Sequence, residues 1–215
     1  MSYRLAYIDE QEASLSNFYS HFSNDYELLM IKVDAISTIE SILQECFDNE
    51  VDAIVTDYKL EEEGNVSFNG DKLFDAIKMR YIHFPVIMLT SWEPDAIDHM
   101  ENVHLIYNKD ILDGKNSEEF SIFKSKINSA IKNYYKKIDD TNSRINELID
   151  KRNGSSLEIA EEEELTKLYI LYDELNPDGK EIPANLIQRE SITQLNDFVN
   201  EAKEILEELK KINKK

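Results

Sequence analysis

The chain holds one cysteine, four prolines, five glycines and one tryptophan in 215 residues. A single cysteine, Cys46, excludes an internal disulfide, and its apolar neighbours point to a thiol packed in a core. No run approaches the roughly 20 apolar residues that span a bilayer. Met1-Ser2-Tyr3-Arg4 leads straight into a strand-like segment without a signal-peptide pattern, so a cytoplasmic protein is expected. Basic charge is scarce as well, with 24 Lys+Arg against 44 Asp+Glu and a net charge of −20. Residues 1–116 carry 8 basic and 23 acidic side chains, and residues 117–215 carry 16 and 21. Neither half offers the basic surface that non-specific nucleic-acid affinity requires, and an anionic membrane would repel both. The expected partners are proteins, with no nucleic acid and no membrane.

What is present is a regular alternation over residues 1–116. Leu5–Ile8, Leu28–Val33, Ala53–Val55, Val86–Leu89 and Val103–Tyr107 read as five buried strands, short apolar runs with little polar alternation. Residues 11–23, 35–48, 70–81 and 93–101 read as the helices between them. In the second of these, Ile36, Ile39, Leu43 and Phe47 recur at helical spacing. Strands and helices in strict alternation imply an α/β fold, a doubly wound five-stranded parallel sheet with helices on both faces.

From Asn116 the pattern becomes all-helical. Asn116 and Ser117 can cap a helix whose first turn holds Glu118 and Glu119. Ile127, Ile131, Tyr134, Ile138, Thr141, Ile145 and Leu148 then repeat at alternating four and three, a coiled-coil-like stripe. Asn153-Gly154 should stop this helix. Ser155 with Glu158 reads as a capping box for a second helix carrying Leu165, Leu168, Tyr172 and Leu175. After Asn176-Pro177-Asp178-Gly179, a third helix from about 184 shows Leu195, Phe198, Ala202, Ile205, Leu209 and Ile212. None of the three can bury its stripe alone, so they pack on each other or on a partner. The division expected is 1–135 for the sheet domain and 136–215 for a smaller helical output or interaction region. Glu158, Glu161–Glu164, Asp173 and Glu174 against Lys167 leave the second helix too acidic for DNA recognition.

In an open α/β sheet, ligands bind beyond the carboxyl ends of the strands. Asp9 and Glu10 follow the first strand, Asp57 the third, Thr90 and Ser91 the fourth, and Lys109 the fifth. Converging carboxylates repel each other, and a divalent cation removes that penalty. An all-oxygen donor set favours a hard ion such as Mg²⁺. Beside such an ion, Asp57 can attack a phosphoryl group, while Thr90 and Lys109 take a share of the phosphoryl charge. By contrast, Asp9-Glu10-Gln11-Glu12 offers no glycine-rich phosphate loop. His21, His83, His99 and His104 lack paired metal-ligand spacing.

The runs Leu5-Ala6-Tyr7-Ile8-Asp9-Glu10, Ala53-Ile54-Val55-Thr56-Asp57-Tyr58, Val86-Ile87-Met88-Leu89-Thr90-Ser91 and Asn108-Lys109 resemble the signatures of bacterial two-component response-regulator receiver domains. Gly70-Asp71-Lys72-Leu73-Phe74 resembles the start of that family's third helix. The resemblance covers about residues 3–135 and implies a flavodoxin-like receiver fold. It implies that Asp9 and Glu10 position Mg²⁺, that Asp57 is both phosphoacceptor and metal ligand, and that the backbone carbonyl of Lys59 completes the protein ligands. Thr90 and Lys109 would contact the phosphoryl oxygens. The donor would be a histidine kinase or phosphotransfer protein. The chain would then be a switch rather than an enzyme, with at most slow self-dephosphorylation. Its helices would engage an unknown protein partner or form a homodimer.

Three departures stand beside the resemblance. The stretch from Asp57 to Gly70, with Glu61-Glu62-Glu63-Gly64, is about five residues longer than usual. Asp110 follows Lys109 where the family has proline, so a cis peptide is not expected there. Ile106 stands where an aromatic switch residue is typical, and Tyr107 should face the other side of the strand. These departures motivate an alternative, a phosphorylation-independent receiver-like adaptor or scaffold. A Mg²⁺-dependent phosphohydrolase fits less well, because its acids would be spaced around an intervening residue after the first strand.

Overall fold

The computed structural model describes residues 2–92, 94, 96, 97, 105–113 and 117–176. Along the chain run β1 (Arg4–Asp9), α1 (Glu12–Phe22), β2 (Glu27–Lys32), α2 (Ile39–Asp48), β3 (Ala53–Thr56) and a single turn, α3 (Glu61–Gly64). These are followed by α4 (Gly70–Arg80), β4 (Val86–Thr90), β5 (Ile106–Asn108), α5 (Ser117–Gly154) and α6 (Ile159–Leu175). The sheet is parallel throughout in the order β2-β1-β3-β4-β5. That is the flavodoxin-like order, in which the strand order reverses between β1 and β3.

Strand alternation divides the core in two. Ala6, Ile8, Ile54 and Met88 face α2 and α4, where they meet Ile42, Cys46, Leu73 and Ile77. Leu5, Tyr7, Val55 and Leu89 face α1 and α5, where they meet Leu15, Phe18, Phe123 and Ile127. Side chains successive along a strand point to opposite faces, so runs that lack polar alternation suit a sheet covered on both sides. Cys46 is fully buried, and burial pushes its thiol up to about 12, which leaves it inert. Tyr107 packs on Phe123 beneath α5, while Ile106 packs on the opposite face, as the alternation predicts.

Two element boundaries differ from the sequence expectation. The second helix starts at Ile39, not near residue 35, and Ile36 is left 87% exposed. Asp34 Oδ1 accepts from the Ile36 N–H and the Ser37 hydroxyl, and Ser37 Oγ accepts from the Asp34 N–H. These local bonds compete with helix, and the reciprocal Thr38–Ser41 capping box then sets the true start. Likewise α6 is capped by Glu158 with Glu161, one turn beyond the Ser155–Glu158 pairing expected. The fifth strand begins at Ile106, with residues 103 and 104 outside the described residues. Most of the expected fourth helix, 93–101, and all of the third output helix also lie outside them.

The helical region begins inside the sheet domain. α5 runs unbroken for 38 residues, so Ile127 and Ile131 pack on the sheet while Thr141, Ile145 and Leu148 lie beyond it. α6 returns antiparallel, burying Leu165, Tyr172 and Leu175, and Arg144 forks onto both oxygens of Glu164 at 2.8 and 3.0 Å. Tyr134 donates its hydroxyl to the Leu175 carbonyl at 2.7 Å. Described as its own compact unit, residues 1–177 thus hold the sheet and this hairpin.

Candidate functional site

The ends of β1 and β3 lie side by side because Ile8 pairs with Thr56 and the Asp57 N–H donates to the Ile8 carbonyl at 2.9 Å. That register delivers Asp9, Glu10 and Asp57 to one place. One carboxylate oxygen from each lies within 4.8 Å of the others, and all three residues are buried. Lys109, at the end of β5, spans the pair: its Nζ lies 2.7 Å from Asp9 Oδ2 and 2.8 Å from Asp57 Oδ2. Thr90, fully buried at the end of β4, favours the charged form of Asp57, and its Oγ1 accepts from the Trp92 N–H at 3.1 Å. Asp9, Glu10, Asp57, Thr90 and Lys109 thus lie together at one end of the sheet.

Lys59 is a partial case, since the resemblance concerns its backbone carbonyl. Its side chain turns away to Glu61 and Glu62, at 3.6 and 3.5 Å, and stands 5.4 Å over the Trp92 ring. The long Asp57–Gly70 stretch is tied down by Asn69, whose Oδ1 accepts from the Leu60 and Glu61 N–H groups. The Gly70 N–H then donates to the Tyr58 carbonyl at 2.7 Å. A Cβ at Gly70 would stand 2.0 Å from the Asp57 carbonyl oxygen, so only glycine permits this closure. The extra residues fold into α3, which carries Glu61, Glu62 and Glu63.

A residue the sequence reasoning missed completes the site. Tyr7 is fully buried, and its hydroxyl donates to Asp9 Oδ2 at 2.6 Å. Its ring stacks on Phe18 at 4.0 Å, and Phe18 stacks on Phe22 at 4.2 Å. The signal was available: a residue two before Asp9 on one strand shares its face.

The charges are frustrated. Burial, and then the neighbouring charges of Asp9 and Asp57, raise Glu10 to about 7. Glu10 Oε2 has no hydrogen-bond partner. Burial also raises Asp57, against the pull of Lys109, with Asp9 adding to the rise. Burial opposes charge on Lys109, but Asp57 and Asp9 outweigh it and hold its pKa above the usual value. One ammonium therefore faces three carboxyl groups, one of which has an orphaned oxygen. A buried cluster of oxygen donors with an unpartnered acceptor fits a hard divalent cation, whose two charges complete what one ammonium leaves undone. It is the one cluster of this type among the described residues.

No protein-family model matches the sequence, and no curated protein matches it. Solved structures do. The signal receiver domain of an HD-domain protein from Pseudomonas fluorescens Pf-5 is 18% identical, with 63% of this chain and 93% of that one covered and a TM-score of 0.49. A response-regulator receiver domain from Clostridium thermocellum is 21% identical over 61% of this chain and 95% of that one, with a TM-score of 0.45. A Thermotoga maritima response regulator in complex with Mg²⁺ and BeF is 16% identical over 60% of this chain and 98% of that one, with a TM-score of 0.45. The chain's structural neighbours are thus receiver domains, which match about 60% of it.

Proposed function

We propose that this chain is a response-regulator switch in which Asp57 accepts a phosphoryl group from a phosphohistidine donor and the helices signal to a protein. The observation that supports it most is the convergence of Asp9, Glu10 and Asp57 with Lys109 bridging two of them. Asp9, Glu10, Asp57 and the Lys59 carbonyl would hold Mg²⁺. When bound, that ion neutralises the carboxylates and draws charge from the phosphoryl oxygens.

Asp57 is the nucleophile. One of its carboxylate oxygens forms the new bond to phosphorus as the phosphorus–nitrogen bond of the donor breaks, and the electron pair of that bond leaves with the imidazole. The Tyr58 N–H, 2.7 Å from Asp57 Oδ1, and Thr90 orient the carboxylate. Lys109 starts on Asp57 Oδ2, and its ammonium transfers to a phosphoryl oxygen as charge develops there. Tyr7 and the Gln11 N–H hold Asp9 from both of its oxygens, at 2.6 and 2.9 Å. Return to the resting state is slow hydrolysis by water, so the chain is a switch and not a turnover enzyme. Its output is protein contact through α5 and α6, in keeping with the acidity of Glu161–Glu164.

Intact-mass measurement with acetyl phosphate and Mg²⁺ tests the reading. A single phosphoryl adduct on the wild-type chain, absent from Asp57→Ala and absent in EDTA, is expected. An unmodified wild-type chain would favour the adaptor reading, for which the acidic α3 turn and Ile106 speak.

A further inference from the structure

Basic side chains of this acidic protein gather at the amino end of β4, the end opposite the one that carries Thr90. Lys78, His83, Lys126 and Lys137 line one cavity of about 330 Å³ between the start of β4 and α5. No acidic side chain lines it among the described residues. In a chain with 44 acidic against 24 basic residues, such a lining departs sharply from the composition. The rest of the lining is largely apolar and includes Phe84, Val86, Tyr107 and Tyr134, with the Phe84 and Tyr134 rings edge to face at 5.7 Å. That volume and that mixture, an apolar wall with a few charged groups, suit a small ligand.

The ammonium groups here are held without being neutralised. Lys78 Nζ donates to the Phe84 and Ile82 carbonyls, at 2.6 and 3.4 Å, and burial pushes it down to about 8. Lys126 Nζ stands 4.7 Å over the Tyr107 ring. Lys137 Nζ lies 3.3 Å from the His83 ring nitrogens. None of these lysines pairs with a carboxylate among the described residues, and Glu174 meets His83 at 3.5 Å. Carbonyls, an imidazole and a ring face orient a cation but leave its charge uncompensated.

We propose that this cavity binds a small organic anion, an apolar aromatic or aliphatic body bearing one acidic group. The acidic group meets Lys78 and Lys137 at the His83 end, and the body lies along Tyr134 toward Tyr107. Lys126 stands 11 positions before Lys137 on α5, about 16 Å along the helix axis, so one acidic group cannot span both. The occupant touches the groups that fasten α6 to the foot of the sheet, because Tyr134 holds the Leu175 carbonyl and His83 faces Glu174.

The test uses the full chain in EDTA and naphthalene-2-sulfonate, which has no phosphoryl group to transfer to Asp57. Titration calorimetry should show saturable one-to-one binding. Inorganic sulfate and the neutral naphthalene-2-sulfonamide should each bind at least tenfold more weakly. Lys137→Gln should weaken binding at least tenfold and Lys137→Arg should restore it, with thermal midpoint and acetyl-phosphate labelling unchanged in both variants. Absence of saturable binding, equal binding of the sulfonamide, or equal affinity in Lys137→Gln would overturn the proposal.

Discussion

Glu10 and Gly70 carry opposite kinds of constraint into one site. Glu10 is a buried carboxyl raised to about 7, chiefly by burial. Its folded pKa exceeds its unfolded value, so its protonated form stabilises the metal-free fold below about 4.5, and that contribution is lost as pH rises through about 7. Protons therefore compete with a divalent cation for Glu10. Apparent Mg²⁺ affinity should fall as pH drops below about 7, and Glu10→Gln should flatten that profile. Calorimetric titration between pH 5.5 and 8.5 reads this directly, and a wild-type affinity independent of pH would contradict it. Gly70 is constrained by space instead. Alanine there brings Cβ to 2.0 Å from backbone that cannot rotate away. The gain in helix propensity, at most about 1 kcal/mol, loses to overpacking of about 1–3 kcal/mol. Gly70→Ala should lower the urea midpoint and slow labelling of Asp57, because relief of the clash moves the Asp57 carbonyl.

At the scale of elements, the hairpin of α5 and α6 decides how far the helical stripe reaches. Ile145 and Leu148 are buried against α6, so this part of the stripe is satisfied within the chain. Removing the Ile145 side chain should cost about 2–4 kcal/mol as lost burial and cavity. The exposed Arg144–Glu164 pair contributes less, being screened by water. Hydrogen exchange should show Ile145→Ala loosening α6 while amides of β1 and β3 stay protected; uniform loosening would mean that hairpin and sheet melt as one. The sheet elements were legible because buried parallel strands write unbroken apolar runs, and the site because its acids, hydroxyl and ammonium each follow a strand end. The start of α2 was not, since periodicity counts Ile36 as apolar but does not see Asp34 and Ser37 bonding the backbone around it. Tyr7 was passed over for a related reason. In a run such as Leu5–Ile8 an aromatic reads as core, and its ring is core, stacked on Phe18; the hydroxyl alone belongs to the site. The acidic α3 turn and its anchor at Asn69 depend on contacts eight and nine residues apart, which local patterns do not encode.

Across the whole molecule, a net charge of −20 makes two kinds of salt effect separable. Diffuse repulsion among surface acids is screened by any salt, with a Debye length of about 10 Å at 0.1 M. NaCl should therefore raise the thermal midpoint gradually and without saturation at a fixed stoichiometry. The carboxylate cluster is different, because its groups are buried and Asp9, Glu10 and Asp57 lie too close for mobile ions to screen. MgCl₂ matched in ionic strength should add a further, saturable increment, larger at pH 8, where Glu10 is ionised, than at pH 5.5. Asp57→Asn removes one of three mutually repelling carboxylates while leaving Asp9 to hold Lys109 at 2.7 Å. In EDTA at pH 8 this variant should therefore melt above the wild type, and Mg²⁺ should narrow or reverse that gap by stabilising the wild type more. Thermal scans of both chains in the two salts measure it. A wild type that responds to MgCl₂ no more than to NaCl would mean that the cluster's repulsion is relieved within the protein itself, with Lys109 sufficient to the task.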